Sequence, residues 1–263
     1  MSVMADVNNA AKGRTGAPVP ATARDVAPVA GLSPRERSIA TRRRIAESAY
    51  RLFAEQGYAA TTMEAIAQTA GVAVQTVYFT FHTKPDVLIE ALKIAGGAAR
   101  EASQVSAREW FRDVTQASDG ARRLALMCEH GIDIYRRLAP MLRAVSAAAS
   151  VDADVNEAWR GLVEARRSGM RQVMRTMAEH GELRAGVDEQ LATDLLFGLH
   201  RPELYLAFTV ECGWSPEAFK TWIYATLCQQ LLPAEDAAAA LAPGSPSTKG
   251  LTFEAALRAL PIG

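Results

Sequence analysis

The chain has 263 residues, 49% of them hydrophobic and 22% charged, enough for one large or two modest buried cores. Its 29 Lys and Arg balance 29 Asp and Glu, which excludes a globally basic polyanion binder and leaves any nucleic-acid contact to local charge placement. No stretch reads as a secretory leader or a bilayer span, and Cys128, Cys212 and Cys228 lack metal-ligand spacing, so a cytoplasmic chain with reduced thiols, no cofactor and no metal is expected.

Residues 1–34 are rich in Ala, Pro, Gly and Thr, with Pro18, Pro20, Pro28 and Pro34 interrupting any periodic face, and read as a flexible arm. A first helix follows, with Ile45, Ala49, Leu52 and Phe53 on one face and Gly57 as its stop. Thr61 and Glu64 have the spacing of a capping box for a second helix burying Met63, Ile66, Ala67 and Ala70. Gly71 permits a tight turn into a third short helix from about Val74 to His82, with Val77 and Phe81 facing inward. Thr83 as cap, Pro85 in the first turn and Asp86 at the positive end of the dipole then open a fourth helix, with Gly96-Gly97 near its end.

Beyond it the period stays helical. Leu124, Met127, Cys128, Gly131, Ile134, Tyr135 and Leu138 form an amphipathic stripe, a long helix spans Asp154 to Glu179, and another runs from Asp188 to about His200. Arg201-Pro202 marks a break, and Ser215-Pro216-Glu217 opens a last long helix whose apolar face is Phe219, Trp222, Ile223, Leu227 and Leu231. The fold expected is all-α, about nine helices: a helix-turn-helix head at 35–90, a helical body at 91–233 and a loosely held tail at 234–263.

Three residues at the start of the first helix, Arg42, Arg43 and Arg44, oppose its dipole and are better explained by phosphate contacts than by local stability. Ala46, Phe53, Gly57-Tyr58, Thr61-Thr62, Ile66-Ala67, Ala70-Gly71-Val72, Thr76-Val77-Tyr78, Phe81 and Lys84 share one order and spacing. Over Arg43 to Leu88 the chain thereby resembles the DNA-binding head of the tetracycline-repressor (TetR) family. The resemblance implies that Thr61, Thr62, Tyr78 and Lys84 touch phosphates of double-stranded operator DNA while the third helix enters the major groove. Reading falls to Val74, Gln75, Thr76 and Phe79, where Gln can bond adenine twice and the methyls of Val and Thr can meet thymine. The sequence departs from the common family pattern at Ala73, Val74 and Gln75, and Val74 equally fits the packing stripe.

The resemblance fades after Lys93 and returns in Leu195 to Leu199, Pro202 to Tyr205 and Gly213 to Pro216, implying a homodimer joined through the last two long helices. Leu191 to Leu199 is apolar around most of its circumference, which suits burial inside the domain and at an interface. A small, largely apolar effector is expected among Trp110, Met127, His130, Tyr135, Met141, Trp159, Met170, Met174, Phe197 and His200, the two histidines orienting a polar group. The alternatives are an interaction protein with a degenerate head, suggested by the absence of Lys, Arg, Asp and Glu from Ala65 to Thr83, and an enzyme with an unrecognised site.

Overall fold

The computed structural model describes residues 33–96 and 109–251. Among them every regular element is helical, and no helix is long and apolar enough to cross a membrane. The greater part of the N-terminal arm, Gly97 and the last residues of the tail, from 252 on, lie outside the described residues.

Helix α1 (Pro34–Ala60) starts earlier than the periodicity suggested: Glu36 accepts from the backbone N–H of Ser33 at 2.7 Å, and the Ser33 hydroxyl accepts from Glu36 N–H at 3.3 Å. The arginine cluster therefore lies inside the helix, where the dipole argument for a partner does not apply. Gly57 leaves helical geometry at φ 82, as its position predicts. Helices α2 (Met63–Ala70) and α3 (Val74–Phe81) are joined through Gly71, whose left-handed backbone (φ 63, ψ 43) lets its own N–H and that of Val72 close onto the Gln68 and Ala67 carbonyls. The cap of α2 is Thr62, not Thr61: the Thr62 hydroxyl accepts from Ala65 N–H at 3.1 Å. Helix α4 (Lys84–Ala95) has the expected start, a reciprocal capping box between Thr83 and Asp86.

The body consists of α5 (Glu109–Thr115), α6 (Gly120–Ala149), α7 (Ala153–Glu179), α8 (Glu189–Leu199), α9 (Pro202–Leu206) with a π-helical continuation at Ala207–Glu211, α10 (Pro216–Leu231) and α11 (Ala234–Leu241). The break at Arg201-Pro202 and the Ser215 cap of α10 stand where the sequence put them. Helices α5 and α11 carry too few turns to announce themselves by periodicity. Where a loose tail was expected from residue 234, α11 buries Ala237 and Ala240, and the turn at Pro246–Thr248 buries Ser247 and Thr248.

Two apolar clusters organise the described residues. One lies within the body, among α5, α6, α7, α8 and α10, around Leu124, Cys128, Met174, Leu196, Phe219 and Leu227. The other begins in the head with Ile45, Phe53, Ile66, Val77, Phe81 and Leu88 and continues without interruption into Met141, Ala144, Val145 and Ala148 of α6 and Val155 of α7. The head thus shares its core with the far half of α6 and the near end of α7. Each such fully buried large side chain contributes ~1.5–3 kcal/mol relative to exposure, so the junction is a strong one.

Candidate DNA-binding face and ligand cavity

Helix α3 separates packing from presentation by its period. Val77 and Phe81 are buried, Val74 packs against the edge of the same cluster, and Gln75, Tyr78 and Phe79 point outward. Phe79 is 85% exposed, an apolar ring left uncovered by the described residues, and Tyr78 is 46% exposed beside it. Ala73 offers no side-chain cap, so the first turn of α3 leaves N–H groups open to an external acceptor. Thr62 is exposed, and Lys84 rests its ammonium 4.3 Å from the centre of the Tyr58 ring; partial burial lowers that amine's pKa.

Two expectations for this face need correction. Thr61 is fully buried, and its hydroxyl donates to the Gly57 carbonyl at 2.8 Å while accepting from Gln56, so it secures the turn before α2 and is not available to a phosphate. Arg42 forks onto both carboxylate oxygens of Glu90 at 3.2 and 3.1 Å, donates to the Thr80 carbonyl and lies over the Phe81 ring, tying α1 to α3 and α4. Arg43 pairs with Glu47 one turn on, and Arg44 is partly buried with its Nε unbonded. Of the arginine cluster, Arg42 at least is a brace of the head.

The body holds a partly open cavity of about 390 Å³ among α4, α5, α6, α7 and the junction between α8 and α9. Trp110, Met127, Tyr135, Trp159, Met170, Phe197 and His200 line it as the sequence suggested. Three expected residues do not. Met141 is buried in the core shared with the head, Met174 is buried in the body core, and His130 stands behind Trp110, ring centres 5.5 Å apart. Burial lowers the pKa of His130 against the opposing carboxylates of Asp133, Glu129 and Asp113.

The wall also contains residues that sequence reading passed over: Leu92 and Gly96 at the end of α4, Gly131, Arg166 and Glu203. Arg166 had a signal, since it falls at i+4 between Leu162 and Met170 and so interrupts an apolar face of α7 with a charge. Its guanidinium lies 4.5 Å from the centre of the Phe197 ring. The Tyr135 hydroxyl donates to the His200 carbonyl at 2.7 Å and lies 2.9 Å from Nδ1 of the same residue. Full burial, reinforced by the Arg166 charge, pushes the His200 imidazole down to about 3, so it is neutral at physiological pH. Burial also raises the Tyr135 phenol, so it remains a donor.

Head and cavity are in physical connection. Leu92 belongs to the helix that begins at Lys84 and Gly96 caps its end, and Arg137 of α6 donates to the Ala95 carbonyl at 3.1 Å while its own carbonyl accepts from the Tyr50 hydroxyl of α1 at 2.7 Å. A turn-linked helix pair with an exposed apolar-aromatic edge, joined to a ligand-sized cavity through one shared helix, defines a DNA-binding regulator that responds to a small molecule.

Comparison with known proteins identifies which kind. Residues 45–91 match the family described as bacterial regulatory proteins, tetR family, and residues 119–208 match the tetracyclin repressor-like C-terminal domain. The fatty acid metabolism regulator protein of Bacillus subtilis (strain 168) is 24% identical over 159 residues, 59% of this chain and 76% of that one. Among solved structures, a TetR-family regulator from Mesorhizobium loti superposes with a TM-score of 0.58 at 23% identity, covering 73% of this chain and 95% of the other. The fatty acid degradation regulator FadR from Bacillus halodurans gives 0.56 at 19%, covering 74% and 95%. NalD of Pseudomonas aeruginosa, the secondary repressor of a multidrug efflux pump, gives 0.56 at 21%, covering 76% and 99%. The chain belongs to the TetR family of ligand-responsive transcriptional regulators.

Proposed function

We propose that this chain is a cytoplasmic, dimeric repressor that binds a near-palindromic operator and is released by a small, largely apolar effector held in the body cavity. The observation that carries the reading is that one cavity is walled in part by α4, the helix that leaves the recognition helix at Lys84 and reaches the body at Leu92 and Gly96. A ligand that spreads α6 from α7 moves the end of α4 and, with it, the angle at which α3 meets DNA. The names of the Bacillus relatives, both fatty acid regulators, favour an effector with an extended apolar body.

The functional division follows the sequence reading for the first two regions: DNA contact from 35–90 and ligand and dimer contacts from 91–233, with α11 packed on the body core. Gln75, Thr76, Tyr78, Phe79, Thr62 and Lys84 form the DNA face. The dimer face is the open side of α8 and α10, where Leu191 is 44% exposed and Leu195, Leu199 and Trp222 are partly covered. Leu227 does not belong to it, because its side chain is fully buried within its own protomer. The protein binds and releases its effector without turning it over.

Selection of bound DNA from a random pool, followed by footprinting, is expected to return two half-sites about one helical turn apart or more. Effector binding must weaken operator binding by the same factor as operator weakens effector binding. Recovery of only asymmetric, sequence-independent DNA would overturn the reading, as would an effector that binds the free and DNA-bound protein equally.

A further inference from the structure

The polar end of the cavity has a fixed hydrogen-bond polarity. A carbonyl oxygen can only accept, so the single hydrogen of the Tyr135 hydroxyl is committed to the His200 carbonyl at 2.7 Å. The second contact, between the same hydroxyl oxygen and His200 Nδ1 at 2.9 Å, therefore takes its hydrogen from the ring. That sets the neutral imidazole as the Nδ1–H tautomer and leaves Nε2 a bare acceptor. His200 is 1% exposed, and Nε2 has no partner among the described residues. An acceptor buried without a donor is costly enough that such atoms usually have an external partner. Protonation does not relieve it, since burial and the neighbouring Arg166 oppose a second positive charge.

The ring is also given its place by the chain. A Cβ on Gly131 would come within 2.0 Å of His200 Cε1 and 2.6 Å of Nε2, so the imidazole occupies the volume that any side chain at that point of α6 would take. Arg166 supplies the opposite character from α7: it lines the cavity, its guanidinium already bonds the Tyr135 hydroxyl, and its buried Nε has no bonding partner among the described residues. The local charge is not simply positive, because Glu203 is also at the wall, paired with Arg201 at 2.9 Å. The wall thus presents a cationic donor and a neutral acceptor together, with aromatic and aliphatic surface elsewhere.

We propose that the cavity selects effectors whose apolar body ends in a hydroxyl group, the oxygen accepting from Arg166 and the hydrogen donated to Nε2 of His200. The proposal rests on the reading of the cavity as the effector site. A carboxylate satisfies Arg166 but sets its lone pairs against that of Nε2, and Glu203 repels it. An ether satisfies Arg166 and leaves Nε2 unmet.

Three matched probes separate these cases on the full-length protein: 1-decanol, decyl methyl ether and decanoate, titrated calorimetrically and then tested for release of operator DNA. Decanol is expected to bind at least about tenfold more tightly than its methyl ether, the smaller end of the range for one unmet buried hydrogen bond. Decanoate is expected to bind more weakly than decanol, and to take up a proton when it binds, seen as a dependence of the heat on buffer ionisation. His200→Phe should bring decanol and the ether to equal affinity, whereas Arg166→Leu should weaken both. If His200→Phe does not fold, Arg166→Leu and the wild-type ranking still decide. Equal binding of alcohol and ether by the wild type, or tightest binding of decanoate without proton uptake, overturns the hydroxyl assignment and leaves the effector cavity standing. Failure of all three to bind or to release operator overturns both.

Discussion

The head and the cavity spend side chains in opposite ways. On α3 an apolar ring, Phe79, is left in solvent while most neighbouring polar contacts are satisfied inside the head, Arg42 on Glu90 and Thr80 and Thr61 on Gly57, with Arg44 Nε the exception. In the body the apolar surface is enclosed and it is polar atoms, Arg166 Nε and His200 Nε2, that are left over. A surface that meets a wet, charged partner can leave carbon exposed, because water tolerates a lone ring at modest cost. Nitrogens buried from water cannot be left unbonded so cheaply. What each region leaves unsatisfied points to what it is built to meet.

The largest effect that would test this contrast is on stability against pH. His200 binds a proton in the unfolded chain near its ordinary value of 6.5 but not in the fold until about 3. Its contribution is fully present above pH 6.5 and is lost as pH falls toward 3, at ~1.4 kcal/mol per pH unit from this one group. Denaturant melts of the wild type and His200→Phe across that window should show the wild-type slope steeper by one proton; equal slopes would mean the imidazole is solvated in the fold.

Next in size is Phe79→Ala. The side chain makes no buried contact, so thermal stability is expected to be unchanged while operator affinity falls by ~1–3 kcal/mol, read by fluorescence anisotropy. A lowered melting temperature with unaltered DNA binding would reverse the assignment of that ring.

Arg137→Ala is expected to leave effector affinity for the free protein and operator affinity without effector close to wild type. It should reduce the coupling between them by ~0.5–2 kcal/mol, because the side-chain link to the Ala95 carbonyl is cut while the Arg137 backbone carbonyl still accepts from Tyr50. The complete binding cycle, measured in all four legs, checks this. The smallest effect is that of Arg42→Ala: its partner geometry is good but the pair is partly exposed, so a loss of ~1 kcal/mol or less in stability is expected by chemical denaturation. Double substitution with Glu90→Gln should cost little more than either change alone if the brace is a single interaction.

How far the sequence could be read differs between the same two regions. In the head, turn and cap chemistry is local: Gly71 must turn left-handed, Thr83 and Asp86 cap each other within one turn, and Val77 and Phe81 face inward by period alone. The error over Thr61 and Thr62 was one residue in register, and local chemistry allowed either. Arg42 was misjudged because its partners, Thr80 and Glu90, lie on other helices. The cavity depends wholly on such distant juxtaposition. Tyr135 and His200 meet from α6 and from the α8–α9 break, and nothing in spacing distinguishes Met170, at the wall, from Met174, one turn on in the core. The residues missed, Gly131 above all, matter for absent bulk, which a search for chemically active side chains does not find.

The unbroken cluster from Phe53 and Phe81 to Val145 and Val155 has a consequence for how a signal crosses the protein. Because the described residues of reader and sensor share one buried cluster, melting the head alone would expose the packed faces of α6 and α7, which disfavours order–disorder switching. What crosses is leverage, a tilt of packed rods, so amides in α3 and in α6 should exchange with deuterium through openings of similar free energy.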